Sequence, residues 1–344
     1  MAESSSTICI ERGLLSRAGL IAAEKLPSRY CAIISDDIVD ALYGEKLESS
    51  LKNAGFSVVR MAFAHGESSK NIETYARVIN FLAENRLTRR DAVIALGGGV
   101  VGDLAGFAAA TYLRGVNLVQ VPTSLLACVD SSVGGKTAID IPAGKNLCGA
   151  FYQPDLVLID PDMLATLPDD IFTDGMAEVI KYAAISDISI LDLCRNAREN
   201  ADGIIRRCIE IKKDVVAQDE RDTSIRQILN FGHTYGHAVE AVSDFAITHG
   251  KAVAIGMCIM ARACAKRGFC SAECADELIS AIEAQGLPTA SPFAPEALFE
   301  TMLSDKKRVP DGLNLVLLTG RGACEIRKTP IAVAKEMLEE GCRL

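Results

Sequence analysis

Among the twelve cysteines no two are spaced CxxC. Cys270 and Cys274, one helical turn apart, come nearest, and Cys128, Cys208 and Cys258 sit inside apolar runs. In a 344-residue chain without an export signal, this pattern argues against a disulfide framework or a cysteine metal site and reads as buried free thiols. Basic residues are also in short supply. Lys and Arg total 36 against 45 Asp and Glu, a net charge of −9. That balance argues against nucleic acid or an anionic membrane as the main partner. A small anion stays admissible, because a cleft can gather positive charge locally. The opening MAESSSTICIERG lacks a basic stretch followed by an apolar core, so no signal peptide is read and a cytoplasmic location is expected. The most apolar region, Ala92 to Val121, is interrupted by Asp103, Arg114 and several glycines, which reads as buried strand and helix and not as a membrane span. There is no internal repeat and no low-complexity linker.

What is present is an ordinary globular composition, 49% hydrophobic and 24% charged, in a chain long enough for two cores. Short apolar segments at Tyr30–Ser35, Phe56–Ala62, Ala92–Leu96, Asn117–Val121 and Asp155–Asp160 alternate with helical patterns such as Asn71–Asn85 and Leu104–Tyr112. Such alternation predicts a parallel sheet with helices on its faces. After Leu167-Pro168 the helical period dominates, at Ala177–Ile185, Ala201–Gln218, Ile225–Val242, Ala252–Arg267 and Ala275–Gln285, with one late strand-like run at Asn314–Leu318. The expected fold is an α/β domain with a parallel sheet, residues 1–168, followed by a mostly α-helical domain, residues 169–344, with the boundary near 160–172.

Three features carry chemistry. LGGGVVGDLAGF, residues 96–107, is a strand, a triple glycine and a helix, which presents backbone N–H groups where a phosphate is favoured. A tight turn without a ligand has the same pattern. Asp103 would repel a phosphate unless it faces another part of the ligand. His65-Gly66-Glu67 with Lys70, and Asp36 after the first strand, fall at the same edge of an open sheet, where ligands bind. Each of them alone reads as a solvated loop charge.

Only four histidines exist, and His233, His237 and His249 are three of them. On a helix, Arg226, Asn230, His233 and His237 form one polar stripe, and Gly232 and Gly236 would admit a close backbone or ligand. The HxxxH spacing nominates His233 and His237 as metal ligands, or as ordinary hydrogen-bonded helix histidines. Glu178, Lys181 and Tyr182 share a face of a second helix, Lys212 lies on a third, and Lys136, Lys145 and Asn146 lie in the loop SSVGGKTAIDIPAGKN. A cleft gathering these cations would attract phosphate and carboxylate groups.

These residues resemble the 3-dehydroquinate synthase family of the shikimate pathway. The likeness runs through GExxK (Gly66 to Lys70), GGGVVGDLAGFAAATYLRG (Gly97 to Gly115), VPTSLLACVDSSVGGKTAID (Val121 to Asp140), GKNLCGAFYQP (Gly144 to Pro154), GMAEVIKYA (Gly175 to Ala183), LNFGHTYGHAVE (Leu229 to Glu240) and HGKAVAIGM (His249 to Met257). The resemblance implies a Rossmann-like NAD domain, a helical metal and substrate domain, and a homodimer. It implies NAD contacts at Asp36, Glu67, Lys70, Gly98, Gly99, Val100, Asp103, Thr123, Ser124 and Lys145. Where the family often has Asn two residues after the first aspartate, this chain has Ile38, which cannot supply that hydrogen bond. Implied metal ligands, for zinc or cobalt, are Glu178, His233 and His249, so His237 becomes an active-site residue instead. Implied substrate contacts are Asp130, Lys136, Asn146, Lys181, Lys212, Arg226, Asn230, His237 and one of Lys306 and Lys307. Of these, Lys136, Lys181, Arg226, Asn230 and His237 are expected to be catalytic. Arg114 is implied to reach the phosphate pocket of the neighbouring subunit. The implied reaction turns 3-deoxy-arabino-heptulosonate 7-phosphate into 3-dehydroquinate and phosphate, with NAD regenerated in each cycle. A metal-dependent polyol dehydrogenase of the glycerol type, or a sister sugar phosphate cyclase, is the rival reading.

Overall fold

A computed structural model of the chain describes residues 6–305 and 312–343. Lys306 and Lys307 lie outside the described residues. The chain divides into two compact units, Met1–Pro168 and Asp169–Leu344.

The first unit holds a six-stranded sheet with order β1-β8-β5-β4-β2-β3, every pair parallel. Its strands are β1 Thr7–Ile10, β2 Tyr30–Asp36, β3 Ser57–Phe63, β4 Ala92–Gly97, β5 Asn117–Pro122 and β8 Leu156–Ile159. Every residue of β4 is buried, as a central parallel strand covered on both faces requires. The alternation of side chains splits the core in two. Ala92, Ile94 and Leu96 join Leu14, Leu47 and Leu51 on one face, while Val93 and Ala95 join Val78, Leu82 and Leu104 on the other. Helices α1 Ala18–Lys25, α2 Asp37–Val39 and α3 Glu45–Asn53 precede β3, and α4 Ile72–Glu84 and α5 Gly99–Thr111 follow it.

Two stretches depart from the sequence reading. The loop expected around Lys136 is an antiparallel hairpin, β6 Lys136–Ile141 with β7 Gly144–Phe151. Its glycines and Pro142 mask the strand signal, and packing supplies what periodicity does not. Gly106 of α5 has no side chain, and a Cβ there would lie 2.5 Å from Thr137 Cγ2, so the hairpin seats directly on the helix. The short edge strand β1, only half-buried, was not expected either.

In the second unit, α10 His249–Lys266 is buried nearly all round and packs against α6 Asp169–Ile185, α9 His233–Val242, α11 Ala272–Ala284 and α13 Ile331–Cys342. The remaining helices are α7 Ile190–Cys194, α8 Ala201–Gln218 and α12 Pro295–Asp305, and β9 Leu313–Gly320 pairs with β10 Ala323–Thr329. The single helix expected over Ile225–Val242 is two elements. A 3-10 segment, Ile225–Asn230, ends at Phe231, and Gly232 at φ 79° turns the chain before α9 begins. The left-handed conformation needs glycine, and it breaks the stripe that joined Arg226 and Asn230 to His233 and His237. Among the described residues, no helix is long and apolar enough to cross a membrane. The twelve cysteines are free thiols. Burial pushes those of Cys31, Cys194, Cys258 and Cys264 up to about 12.

Candidate active site

Helix α6 carries Asp174, Glu178 and Lys181 at i, i+4 and i+7, so all three lie on one face. Asp174 anchors the start of α10. Its carboxylate accepts from the Thr248 hydroxyl and, at 3.0 Å, from the Lys251 backbone N–H, one of the orphan donors of the first turn. Gly250 allows the two helices to touch, since a Cβ there would lie 1.9 Å from the Asp174 carbonyl oxygen. His249, the first residue of α10, therefore arrives one turn along α6, opposite Glu178. Its Nε2 lies 3.2 Å from Glu178 Oε1.

His233 reaches the same oxygen from α9. Its Nε2 lies 3.3 Å from Glu178 Oε1, and its Nδ1 lies 3.1 Å from the Phe231 carbonyl oxygen. Glu178 is only 1% exposed, and Lys181 donates to its other oxygen. Burial opposes the Glu178 charge, but Lys181 and His233 outweigh it and hold the carboxyl well below its usual range. Burial likewise opposes charge on His249, while hydrogen bonds to Glu178 and Glu240 raise it to about 10. Positive charge is thus favoured at the point where both imidazoles meet the carboxylate. One carboxylate oxygen facing two imidazole nitrogens is a donor set suited to a divalent cation.

His237 sits one turn beyond His233 on α9 and is exposed, its ring centroid 5.4 Å from that of His233. It forms a second possible three-donor group with Glu240 and His249. Lys181, Lys212 and Arg226 are all buried, on three elements packed together. The carboxylate of Asp219 shapes the turn before Arg226 by accepting from the backbone N–H groups of Thr223, Ser224 and Arg226. Asn230, half-buried, ends that 3-10 segment.

In the first unit, the crossover from β3 back past β2 to β4 opens a crevice at the carboxyl ends of β2 and β4. Asp36 ends β2 and accepts from the N–H groups of Ile38 and Val39, and the Ile38 side chain is exposed. Gly98 is the N-cap of α5, which has no side-chain cap and no acidic residue in its first turn. Helix α5 starts at Gly99, five residues before the expected Leu104, so Gly99 and Val100 form its first turn. Ser124 faces this turn, since a Cβ on Gly98 would lie 3.3 Å from Ser124 Oγ, and Thr123 donates its N–H to the Gly97 carbonyl at 3.0 Å.

Lys70 is buried and donates to Asp103 and to Asn146 Oδ1, both at 2.6 Å. Burial opposes its charge, but Asp103 and Glu67 raise its pKa. Glu67 also lies in the field of Lys145. Asn146, at φ 56°, is held by Lys70 and by Asp140, which accepts its N–H at 2.7 Å. Asp130 is half-buried, and Lys136 is exposed at the start of β6. Arg114 is exposed on a strained turn, where Leu113, Arg114 and Gly115 all have positive φ. Sequence reasoning did not single out Asp174, Asp219, Asp140 or Glu240. A carboxylate one turn before Glu178, or one turn after His237, was the available signal for two of them.

The parallel-sheet unit with an uncapped glycine helix start and the helical unit with a Glu–His–His cluster among buried cations place the chain among the sugar phosphate cyclases in fold. Solved structures agree. One is 2-epi-5-epi-valiolone synthase from Streptomyces hygroscopicus subsp. jinggangensis, with NAD+ and Zn2+ bound. It is 26% identical with a TM-score of 0.89, covering 99% of this chain and 96% of that one. Another is 2-deoxy-scyllo-inosose synthase complexed with carbaglucose-6-phosphate, NAD+ and Co2+, 25% identical with a TM-score of 0.86 over 97% and 96% of the two chains. Family models described as 3-dehydroquinate synthase N-terminal and C-terminal match residues 60–174 and 175–308. The 3-dehydroquinate synthase of Streptococcus suis (strain 05ZYH33) is 44% identical over 341 residues, 96% of this chain and 95% of its own. That of Clostridium kluyveri is 44% identical over 334 residues, 95% and 93%. The chain belongs to the 3-dehydroquinate synthase family, enzymes that are carbon–oxygen lyases eliminating phosphate as a carbocycle forms.

Proposed function

We propose that this chain converts 3-deoxy-arabino-heptulosonate 7-phosphate to 3-dehydroquinate and inorganic phosphate, with NAD+ on the sheet unit and a zinc or cobalt ion on the helical unit. The observation that carries the reading is the convergence of His233 Nε2 and His249 Nε2 on Glu178 Oε1, one turn from the buried Lys181. The residues fit both groups. The donor set is two imidazoles and a carboxylate, and the start of α5 offers uncapped N–H groups to a diphosphate. When bound, NAD+ supplies reversible hydride acceptance, and the divalent ion supplies Lewis acidity toward a hydroxyl oxygen.

The chain's own residues do the rest. Gly98, Gly99, Val100, Thr123 and Ser124 hold the cofactor phosphates and nearby groups, and Asp36, Glu67, Lys70, Asp103 and Lys145 hold its polar remainder. Lys181, Lys212, Arg226 and Asn230 orient the substrate and neutralise its anionic groups, with Asp130 as a hydrogen-bond acceptor. Lys136 and Asn146 place the phosphate. With a ring hydroxyl oxidised and its hydride held by the bound cofactor, the C–H beside the resulting ketone would be acidified, and loss of that proton with the phosphate would make the double bond. The departing phosphate itself takes the proton. Once the hydride had been returned from the bound cofactor to the same carbon, the ring would open and close again by an intramolecular aldol step, with His237 as an active-site residue one turn from His233. The active assembly is a homodimer in which Arg114 reaches the partner's phosphate pocket.

Incubation of enzyme, NAD+, divalent metal and the heptulosonate phosphate tests the reading. Carbocyclic product and stoichiometric phosphate without net NADH support it. NADH accumulating with glycerol-type polyols, or a different carbocycle from another sugar phosphate, would transfer the chain to one of the rival activities.

A further inference from the structure

We infer that Glu240 is a positioning residue of the metal centre, which accepts the Nδ1 proton of His249 and thereby fixes Nε2 as the nitrogen offered to the cation. The inference rests on the reading of Glu178, His233 and His249 as the ligand set. A neutral imidazole has one N–H and one lone pair, so the ligating nitrogen is the one left without a proton. His249 Nδ1 lies 3.4 Å from Glu240 Oε2, while its Nε2 faces Glu178. An ionised carboxylate only accepts, so contact with Glu240 keeps the proton on Nδ1.

His233 has the same arrangement with a different acceptor, since its Nδ1 faces the Phe231 carbonyl oxygen, which also only accepts. Two separate acceptors, one backbone and one side chain, thus impose the same tautomer on histidines from two helices. Glu240 is 5% exposed and lies on α9 seven residues after His233, two turns along one face. A carboxylate buried to that degree is costly unless it serves a partner. The imidazole of the neighbouring helix is one such partner.

The test is Co2+ titration of the metal-free full-length chain, read by competition with a chromophoric chelator and by the visible ligand-field spectrum. Wild type, Glu240→Gln and Glu178→Gln are compared, with near-UV circular dichroism reporting the fold of each metal-free protein. Expected for Glu240→Gln is a weakening of Co2+ binding by roughly 10- to 100-fold with an unchanged band shape at saturation. Affinity within twofold of wild type overturns the inference. A changed band shape also overturns it, because Glu240 would then be a ligand in the group with His237. If Glu240→Gln does not fold, Glu240→Asp, whose carboxylate is withdrawn by one methylene, decides on the same terms. Wild type that binds no Co2+, or Glu178→Gln that binds as well as wild type, removes the ligand set itself, a failure distinct from that of Glu240.

Discussion

Replacing Gly256 with alanine should both destabilise the helical unit and weaken its metal. A Cβ on Gly256 would lie 2.0 Å from the Gly232 carbonyl oxygen and 2.7 Å from the Gly236 nitrogen. All these are backbone atoms, so no rotamer change relieves the contact. The shortfall from an ordinary 3.4 Å contact is about 1.4 Å, and α9 must move away from α10 by that order. Gly236 offers no slack, because a Cβ there would already meet Ala252 O at 2.9 Å. Overpacking of this kind costs about 1–3 kcal/mol, and the upper end applies where backbone meets backbone. With a urea m-value of about 2–3 kcal/mol/M, the midpoint should fall by about 1 M. His233 directly follows Gly232, so the shift is passed to its Nε2, which now lies 3.3 Å from Glu178 Oε1. Metal sites tolerate errors of about 0.2 Å, so metal affinity should drop at least about tenfold, or 1.4 kcal/mol. Gly203→Ala is the control. Gly203 lies in α8, its Cβ would meet only Leu193 Cδ1 of α7 at 3.4 Å, and removing a helix glycine should stabilise by about 0.5–1 kcal/mol. Gly256→Ala with wild-type midpoint and wild-type metal affinity would refute the backbone-contact argument.

His249→Ala should lose the metal by elemental analysis while His237→Ala keeps it; equal loss would favour the His237, Glu240 and His249 group. Arg114→Ala and Lys181→Ala subunits, each inactive alone, should recover activity when mixed, since a heterodimer has one intact site; stable mixed dimers that stay inactive would count against Arg114 acting across the interface. Lys136→Ala should lower kcat/KM by at least about tenfold, for a charged hydrogen bond of roughly 1.5–3 kcal/mol. It should weaken a phosphonate analogue more than one lacking the phosphonate, and equal losses by calorimetry would reassign Lys136. Asp219 is opposed by burial, but the backbone N–H groups of Thr223, Ser224 and Arg226 hold its pKa below the ordinary value. Its stabilisation is complete above about pH 4 and is lost as pH falls through the lower folded value, because the unfolded chain binds the proton first. Asp219→Asn should therefore be less stable at neutral pH and show a shallower acid limb in urea melts; an unaltered limb would rule this out.

The parallel sheet was legible because each central strand is a short, mostly apolar run, with few polar residues such as Ser35 and Gln120, as a strand buried on both faces requires. The helical second half was legible from its period, and α8 Ala201–Gln218 has the bounds that the pattern predicts. Local sequence also held Gly232 and Gly236, and what was open was whether a backbone or a ligand approaches them. The structure makes it another backbone. Tertiary structure alone decided the break at Gly232. A polar stripe of four residues at helical spacing reads as continuous until α10 presses against the glycine and requires φ 79°. It also decided where α10 begins. The first turn at His249 has no apolar periodicity of its own and is fixed by Asp174, 74 residues earlier than Thr248. The hairpin β6–β7 went unread for the same reason, since α5 holds it and not its own composition. Spacing identifies which residues share a face, but which nitrogen meets which oxygen depends on helices that packing brings together. For that reason Glu178, His233 and His249 were nominated by type and motif, whereas Glu240 emerged only when α9 and α10 were seen side by side.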